Sequence, residues 1–416
     1  MRFSVVCMLF LAAIAFDAYA ELLAGSASAD ITPPIGGRMY GYGARGANVS
    51  EGVHDPLYAK ALVLENGDGR LAIVALDWGT VTEENSERIR RLVKKETGIE
   101  NVLCVASHSH STPSPDPEFP TKRKPYLREA EEKIAGAIAA AARSVVPARI
   151  RVGHGEAREG HNRRKVLPDG TVEMFWENRE RVPTSPVDYQ LGVIRVESTS
   201  GETIATLVNF QCHPVVLGPE NLLISADYPG VMKGLVEDAL GGECLFLQGA
   251  AGDINPFWDK TPPSEGAFEQ VELMGKTIAE EVIRVSGEAE AIEDDPAISV
   301  HTEIIPLARR DDPERKKRDL MAEVNTVLIG KDLALATFPG EFFVEHGLRL
   351  KRESKIKHTF FVGYTNRRLR YFPTIKACTE GGYGAASATI VEVGAGERLV
   401  SRALINIHYQ AGLIRP

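Results

Sequence analysis

Cysteine is scarce in this chain, which contains five in 416 residues. Cys7 lies near the N-terminus, and the other four, Cys104, Cys212, Cys244 and Cys378, are widely spaced with no CxxC pair. Three of those four lie in or beside apolar runs, so buried free thiols are as compatible with the pattern as disulfides. The sequence therefore leaves open whether these cysteines pair.

An excess of basic residues is also missing. Lysine and arginine number 48 against 57 aspartates and glutamates, which gives a formal net charge of -9. Nucleic acid and anionic membranes attract proteins with a dominant basic face, so neither is expected as the main partner. The remaining composition, 44% hydrophobic and 25% charged, is ordinary for a globular enzyme. The sequence leaves the oligomeric state open.

No apolar run reaches transmembrane length, and the longest such stretch lies within residues 1–20. Arg2 provides a positive start, residues 5–16 an apolar core, and Ala18 and Ala20 a cleavage motif before Glu21. This pattern predicts a secretory signal peptide, with membrane anchoring as the alternative. We expect residues 21–416 to be exported to a periplasm or outside the cell.

Apolar runs typical of strands alternate with amphipathic runs typical of helices. The predicted strands are residues 59–64, 71–76, 102–106, 191–196, 204–210, 244–247, 298–305, 327–336 and 359–362, and the predicted helices are 83–96, 125–144, 229–240, 268–285 and 342–353. This alternation predicts an α/β fold with helices packed outside mixed β-sheets. Residues 154–186 have weaker periodicity, and we expect them to form a long loop that covers a substrate.

His108 and His110 follow the predicted strand 102–106 and are separated by one residue. Side chains of an extended backbone alternate with period two, so both imidazoles are expected on one side of the strand end. Imidazole is both a common metal ligand and a common acid/base near neutral pH. The alternative is a pair of solvated loop histidines, which only further ligands elsewhere can exclude.

Two more candidate ligands follow predicted strands. His213 precedes Pro214 after strand 204–210, and Glu341 follows a Pro-Gly turn and begins the predicted helix. Each has a simpler interpretation, His213 as a turn residue and Glu341 as a first-turn acid that complements the helix dipole. However, α/β sheets gather ligand-binding groups at the C-terminal ends of strands. Two histidines, one carboxylate and an open position would form a catalytic zinc site.

A glycine-rich turn, residues 249–256, follows the predicted strand 244–247. Its backbone amides are candidates for facing a ligand, and Asp253 is a candidate for orienting a ligand histidine. No Gly-Lys-Ser/Thr sequence follows, which excludes a phosphate-binding P-loop.

Taken together, these motifs resemble the N-terminal catalytic domain of the neutral/alkaline non-lysosomal ceramidase family. The resemblance rests on their order and spacing along the chain: Asp30-Ile31-Thr32-Pro33, Gly41-Tyr42-Gly43, His54-Asp55-Pro56-Leu57-Tyr58-Ala59, Ser107-His108-Ser109-His110-Ser111, Cys212-His213-Pro214-Val215, Gly252-Asp253, Pro339-Gly340-Glu341-Phe342 and Tyr371-x-x-Thr374. It implies a single catalytic domain over residues 21–416 with layered α/β/β/α architecture.

The resemblance also implies a site for one zinc ion. Its ligands would be His108, His213, Glu341 and Tyr371. His110 would be the catalytic histidine, Tyr383 a second active-site tyrosine, and Arg163 an arginine that contacts substrate.

Two features depart from the family. Asn255 stands where the family has a serine in Gly-Asp-x-Ser-Pro, and no C-terminal β-rich domain follows before Pro416. An asparagine amide donates and accepts hydrogen bonds but is no nucleophile. With Asp253 and Asn255 taken as substrate-binding residues, we expect a smaller or more polar amide than ceramide.

The sequence thus predicts an exported zinc-dependent amidohydrolase acting on a small-molecule amide or a lipid-like substrate. In this hypothesis His110 transfers protons, and Tyr371 or Tyr383 hydrogen-bonds the developing oxyanion. One alternative is an esterase or another metallohydrolase on the same scaffold. The other, suggested by Asn255, is a catalytically silent, metal-containing ligand-binding protein.

Overall fold

The computed structural model describes residues 21–294, 296–314 and 316–415, so the predicted signal peptide lies outside the described residues. A nine-stranded sheet consists of β1 (Leu23–Asp30), β2 (Tyr58–Asn66), β3 (Gly69–Leu76), β4 (Asn101–Ala106), β5 (Val146–Glu156), β6 (Gln190–Ser198), β7 (Thr203–Phe210), β8 (Glu243–Gln248) and β9 (Glu290–Ala291). A four-stranded sheet consists of β10 (Ile298–Leu307), β11 (Leu320–Ile329), β12 (Leu333–Thr337) and β13 (His358–Val362).

The α-helices in these residues are α1 (Glu83–Thr97), α2 (Tyr126–Arg143), α3 (Tyr228–Leu240), α4 (Ala267–Glu288), α5 (Val344–Glu353), α6 (Ile375–Glu380) and α7 (Ala395–Gln410). Short 3-10 helices span Gly43–Arg45 and Pro263–Glu265. Short strand pairs join Gly52–Val53 to Leu223–Ile224, Pro120–Thr121 to Lys124–Pro125, His161–Asn162 to Ile254–Asn255, Arg164–Val166 to Val172–Met174, and Glu341–Phe342 to Tyr371–Phe372.

The large sheet has the strand order β8-β7-β6-β5-β1-β2-β3-β4, with β9 added along β5. Its two halves meet at a narrow junction, where β1 pairs with β5 only at Leu23–Pro147 and Ala24–Val146. Parallel pairing occurs between β3 and β4 and between β7 and β8, and the other neighbours in this sheet are antiparallel. The sheet is therefore mixed, as predicted.

In the small sheet, one predicted strand is wrong. Residues 327–336 were expected to form a single strand, but β11 ends at Ile329 and β12 begins at Leu333. Gly330 between them has φ of 60°, a left-handed conformation that allows a tight turn. The two strands pair antiparallel as a hairpin, and β12 pairs parallel with β13.

Helices cover both outer faces of the stacked sheets. One apolar cluster joins α1 and α2 to the β1–β4 half of the large sheet, and another joins α3 and α4 to its other half. A third cluster lies between the two sheets, and a fourth packs α5 and α7 on the outer face of the small sheet. This confirms the layered α/β/β/α architecture.

Local sequence signals explain α1 well. Thr82 caps its N-terminus in a reciprocal capping box with Asn85, and Gly98 ends it in the left-handed conformation. Ile89 and Val93, four positions apart on one face, are fully buried in the core.

The ends of several strands converge at one place. The side chain of Gln248, the last residue of β8, donates to the carbonyl of Ser107 just after β4. The backbone amide of Gly363, after β13, donates to the carbonyl of Gln248. The backbone amide of Ala106 donates to the carbonyl of Tyr364. The loops that follow β4, β8 and β13 therefore meet, and the candidate ligands lie in these loops and in those after β7 and β12.

Two expectations about the whole chain can be compared with the described residues. Cys104, Cys212, Cys244 and Cys378, whose pairing the sequence leaves open, are free thiols in the structure. None of the helices in the described part of the chain combines the length and apolar character that a bilayer crossing requires.

Candidate active site

His108 is held in an unusual backbone conformation directly after β4. Its φ is 73°, which is uncommon for a residue with a side chain, and such conformations concentrate at functional sites. The His108 amide donates to the carbonyl of Trp78 at 2.9 Å, and its Nδ1 donates to that of Gly79 at 2.7 Å. The expected strand alternation is therefore wrong here, because the extended backbone stops before His108. Even so, His108 Nε2 lies 3.3 Å from Nε2 of His110.

His213 and Glu341 complete a buried cluster with His108. His213 follows β7 and donates from Nδ1 to the carbonyl of Ile254 at 3.0 Å. Glu341 pairs in parallel with Tyr371, and its Oε2 lies 3.3 Å from Nε2 of both His108 and His213. The prediction that Glu341 begins a helix is wrong, because α5 begins at Val344. Glu341 therefore does not act as a first-turn acid.

The protonation pattern of this cluster favours a cation. Backbone carbonyls only accept hydrogen bonds, so the Nδ1 atoms of His108 and His213 carry the hydrogens and their Nε2 atoms present lone pairs. These lone pairs converge on the carboxylate of Glu341, and acceptors alone repel one another. One ring nitrogen from each of His108, His110 and His213 lies within 4.8 Å of the other two. This buried cluster can hold a metal ion.

The spacing of the acceptors also fits a small ion. Bonds of about 2.0 Å to a tetrahedral zinc ion place neighbouring ligand atoms about 3.3 Å apart. Distances of 3.3 Å separate Glu341 Oε2 from Nε2 of His108 and His213, and also His108 Nε2 from His110 Nε2. These distances therefore allow both His110 and Glu341 to lie next to a bound ion.

Electrostatics within the cluster keep its groups in ligand form near neutral pH. Burial acts to raise the pKa of Glu341, but His108 and His213 lower it well below its ordinary value. Burial lowers the pKa of His213 to about 4, and burial with the neighbouring histidines lowers the pKa of His110 well below 6.5. Burial and Glu341 raise the pKa of Tyr371 well above 10. Near neutral pH, Glu341 is thus ionised, and the imidazoles of His110 and His213 are neutral.

A buried arginine that sequence reasoning missed holds the His110 loop. Arg45 donates to the carbonyls of His110 at 2.6 Å, Tyr40 at 2.7 Å and Asn221 at 3.1 Å. Gly41, with φ of 95°, packs so closely that an added Cβ would lie 2.2 Å from the His110 ring. His110 is therefore positioned from several directions.

Arg163 links the cluster to its surroundings. Its guanidinium donates to Oδ1 of Asn255 at 3.0 Å, to the carbonyl of Gly252 at 2.7 Å and to the hydroxyl of Tyr371 at 3.2 Å. The ring of Tyr383 lies 5.4 Å from the Arg163 Cζ, and Tyr383 remains 39% exposed. Arg163, Asn255, Tyr371 and Tyr383 thus lie together beside the histidines.

Asp253 is not part of this group, and the prediction that it orients a ligand histidine is wrong. Its carboxylate accepts from the side chain of Asn162 and from the amide of Val344, both at 2.8 Å. Backbone carbonyls, not Asp253, orient the candidate ligands His108 and His213. The amide of Gly252 donates to the carbonyl of Phe342, so in this turn it faces protein and not a ligand. Through these two hydrogen bonds, Asp253 instead links the start of α5 to Asn162.

Two cavities open on the cluster. The first, of about 250 Å³, is lined by Gly41, Tyr42, Gly43, Ala44, His110, Arg163, Trp176, His213, Val215, Pro219, Asn255, Lys260, Tyr371 and Tyr383. The second, of about 500 Å³, is lined by Met39, Tyr40, Gly41, Tyr42, Gly43, His108, His110, Ser114, Glu341, Arg368, Arg370, Tyr371, Tyr383 and Ala388. His110, Tyr42, Tyr371 and Tyr383 border both cavities.

Residues 154–186, expected to cover a substrate, contribute Arg163 and Trp176 to the wall of the first cavity. Part of the segment is a short hairpin, which pairs Arg164–Val166 with Val172–Met174. Trp176, Lys260, Arg368 and Arg370 were not singled out from the sequence. A usable signal existed only for the two arginines, which lie within three residues of Tyr371.

Comparisons with known proteins identify relatives of this chain. A profile of the neutral/alkaline non-lysosomal ceramidase N-terminal family matches residues 22–258. Neutral ceramidase A of Dictyostelium discoideum is 27% identical over 257 residues, which are 56% of this chain and 35% of that protein. Neutral ceramidase B of the same organism is 26% identical over 241 residues, 52% of this chain and 33% of that protein. The chain thus matches about a third of the length of these relatives.

Solved structures share the fold. Neutral ceramidase from Pseudomonas aeruginosa superposes with a TM-score of 0.78 at 19% identity, covering 95% of this chain and 75% of that chain. A structure described as ceramidase complexed with C2 gives a TM-score of 0.77 at 18% identity, covering 94% of this chain and 75% of that one.

Proposed function

Because the chain belongs to the neutral/alkaline non-lysosomal ceramidase family, we propose that it is an exported, zinc-dependent hydrolase that cleaves an amide bond. Residues 21–416 would form one catalytic domain, and export rests on the signal-like residues 1–20. The observation that supports the metal most strongly is the convergence of the His108 and His213 lone pairs on the Glu341 carboxylate.

We propose His108, His213, Glu341 and Tyr371 as the zinc ligands. Imidazole nitrogens, a carboxylate and an open position are the donor set of a catalytic zinc site. Tyr371 is next to this set, because its backbone pairs with Glu341 and its hydroxyl accepts from Arg163. Burial and Glu341 raise the pKa of that hydroxyl, and Arg163 acts in the opposite sense; a cation bound at the cluster would favour the ionised hydroxyl, which is the form that binds a metal.

In the proposed mechanism, zinc supplies Lewis-acid chemistry that polarises the substrate carbonyl and makes water acidic enough to attack near neutral pH. His110 accepts the proton from the attacking water and returns it to the leaving amine nitrogen. Its buried, neutral imidazole is in the proton-accepting form. Tyr383 donates a hydrogen bond to the oxygen that becomes negative, and Arg163 holds the ligand Tyr371 in place.

Asn255 supports a substrate that is smaller or more polar than ceramide. The residue is fully buried, lines the first cavity, and its Oδ1 accepts from Arg163. The amide therefore fills space next to the cluster and offers fixed hydrogen-bonding groups. The family resemblance by itself suggests ceramide, so this restriction depends on Asn255.

The alternatives are an esterase or other metallohydrolase and a catalytically silent ligand-binding protein. A matched pair of substrates, octanoyl 4-nitroanilide and octanoyl 4-nitrophenyl ester, would separate them. The protein would be stripped of metal with a chelator, reloaded with zinc, and assayed on both substrates and on long-chain ceramide.

We expect zinc to restore hydrolysis of the anilide. Zinc-dependent cleavage of the ester alone would favour the esterase. If neither is cleaved by protein that contains bound zinc, the silent binding protein would be favoured. Cleavage of ceramide as efficiently as of the best soluble amide would overturn the proposed substrate restriction.

A further inference from the structure

The cations around the two cavities differ in how they are paired. In the first cavity, Lys260 forms an ion pair with Asp259, and Arg163 is bonded to Asn255 and Tyr371. These charges are already engaged within the protein. The second cavity contains Arg368 and Arg370 instead.

Arg368 and Arg370 have no acidic partner. Among the described residues, neither guanidinium lies within 4 Å of a carboxylate, whereas the adjacent Arg367 pairs with Glu83 and Glu323. Both of these arginines are exposed to solvent, and Glu341 is the only carboxylate that the described residues contribute to the cavity wall. Glu341 already faces His108 and His213. The outer wall of this cavity is therefore positive.

Both arginines lie close to the histidine cluster in the fold and line the same cavity. Arg368 Cζ is 5.4 Å from the centroid of the Tyr40 ring, which is 5.6 Å from the centroid of the His108 ring. Arg370 directly precedes Tyr371, and its carbonyl accepts from the amide of Glu341 at 2.9 Å. A small molecule whose scissile bond lies at the histidine cluster can therefore place an anionic group next to these arginines.

We propose that the second cavity is an anion subsite and that the substrate is an amide with a carboxylate close to the scissile bond, as in an N-acyl amino acid. This proposal rests on the proposed hydrolase function and narrows it. Guanidinium groups recognise carboxylates through paired, charge-assisted hydrogen bonds. The chain carries a net charge of -9, so an anionic substrate needs a local positive region to approach.

The test compares N-octanoylglycine with N-octanoylethanolamine, which replaces the carboxylate by a hydroxymethyl group. Calorimetry on the zinc-loaded protein would measure the affinity for both, and kcat/KM for hydrolysis would be measured in parallel. The double variant Arg368→Gln/Arg370→Gln removes both charges. Arg123→Gln is the matched control, because Arg123 is exposed and lies outside both cavities.

We expect the wild type to bind the acid about tenfold more tightly than the alcohol, a preference that screening by salt reduces. The double variant should lose this preference while its affinity for the alcohol changes less than about twofold, and Arg123→Gln should behave as the wild type. Equal affinity of the wild type for both amides would overturn the proposal. So would a preference that survives in the double variant, because the carboxylate would then bind the metal instead.

The parallel assays separate this proposal from the proposed function. Arginine-dependent binding of the acid without hydrolysis of either amide would support the subsite and contradict the hydrolase. Equal hydrolysis of both amides, with equal affinities, would support the hydrolase and contradict the subsite. The succinic acid mono-octylamide, added as a third ligand, shows whether the carboxylate belongs to the acyl side or to the amine side.

Discussion

Replacing Arg45 by methionine tests whether a single buried guanidinium holds the loop that contains His110. Arg45 is 4% exposed, and its hydrogen bonds go to backbone carbonyls alone. Three of those carbonyls, from Tyr40, His110 and Asn221, have Arg45 as their donor at 2.6 to 3.1 Å. Methionine matches part of the side-chain length but supplies no donor.

The expected cost follows from those three carbonyls. A buried acceptor that loses its donor costs about 1 kcal/mol or somewhat more, so three cost about 3 kcal/mol. The variant also loses the cation–π contact between the Arg45 guanidinium and the Tyr42 ring, whose centroid lies 4.9 Å from Cζ, and this loss adds to the cost. Removal of a buried charge acts in the opposite sense, because burial lowers the pKa of Arg45 to about 10. We expect a net loss of about 2 to 3 kcal/mol in the free energy of unfolding.

Urea unfolding, followed by circular dichroism, would measure the loss in the free energy of unfolding. The value of kcat would report on the position of His110, because its backbone carbonyl loses the hydrogen bond from Arg45. We expect kcat to fall on the order of tenfold or more, because small displacements of catalytic groups are costly. Arg143→Met is the control, since Arg143 forms only an exposed ion pair with Glu96; its cost should stay below about 0.5 kcal/mol. A loss below about 1 kcal/mol for Arg45→Met, or an unchanged kcat, would refute the reasoning.

Three further variants probe other parts of the account. Gly41→Ala forces a Cβ to 2.2 Å from the His110 ring at φ of 95°, so kcat should fall while the zinc content stays unchanged; unaltered kinetics would contradict the close packing. Asn255→Ser should enlarge the first cavity and raise kcat/KM for bulkier amides without loss of zinc, and loss of zinc would place Asn255 nearer the metal than proposed. Burial lowers the pKa of His346 to about 4, so its contribution to stability is lost as pH falls from about 6.5 to 4; His346→Leu should remove up to about 3 kcal/mol of that acid sensitivity. Parallel unfolding curves of variant and wild type across this pH range would contradict the last expectation.

Much of the fold was predictable, because long apolar and amphipathic runs determine strands and helices locally. The capping residues Thr82 and Gly98 define the ends of α1 in the sequence itself. The division of residues 327–336 was not predictable, because three polar or small residues between two apolar runs do not by themselves indicate a hairpin. The exposed strand β10 and its pairing with β11 depend on contacts between distant segments.

The candidate site was predictable as a set of residues but not in its geometry. Strand-end position suggested that His108, His213 and Glu341 would meet, and they do. The positive φ of His108 and the carbonyl partners of the histidines arise from tertiary packing, which no local pattern encodes. Asp253 was misassigned for the same reason: its carboxylate was expected near a histidine, yet it bonds to Asn162 and Val344.

The most direct test of the central claim is the zinc content of the purified wild type, His108→Ala and His110→Ala proteins, measured by elemental analysis. The account predicts one zinc ion per wild-type chain, loss of zinc in His108→Ala, and retained zinc in His110→Ala with a rate reduced on the order of a hundredfold. Equal loss of zinc in both variants would contradict the separate roles of the two histidines. A wild-type protein that binds no zinc would contradict the metal centre itself.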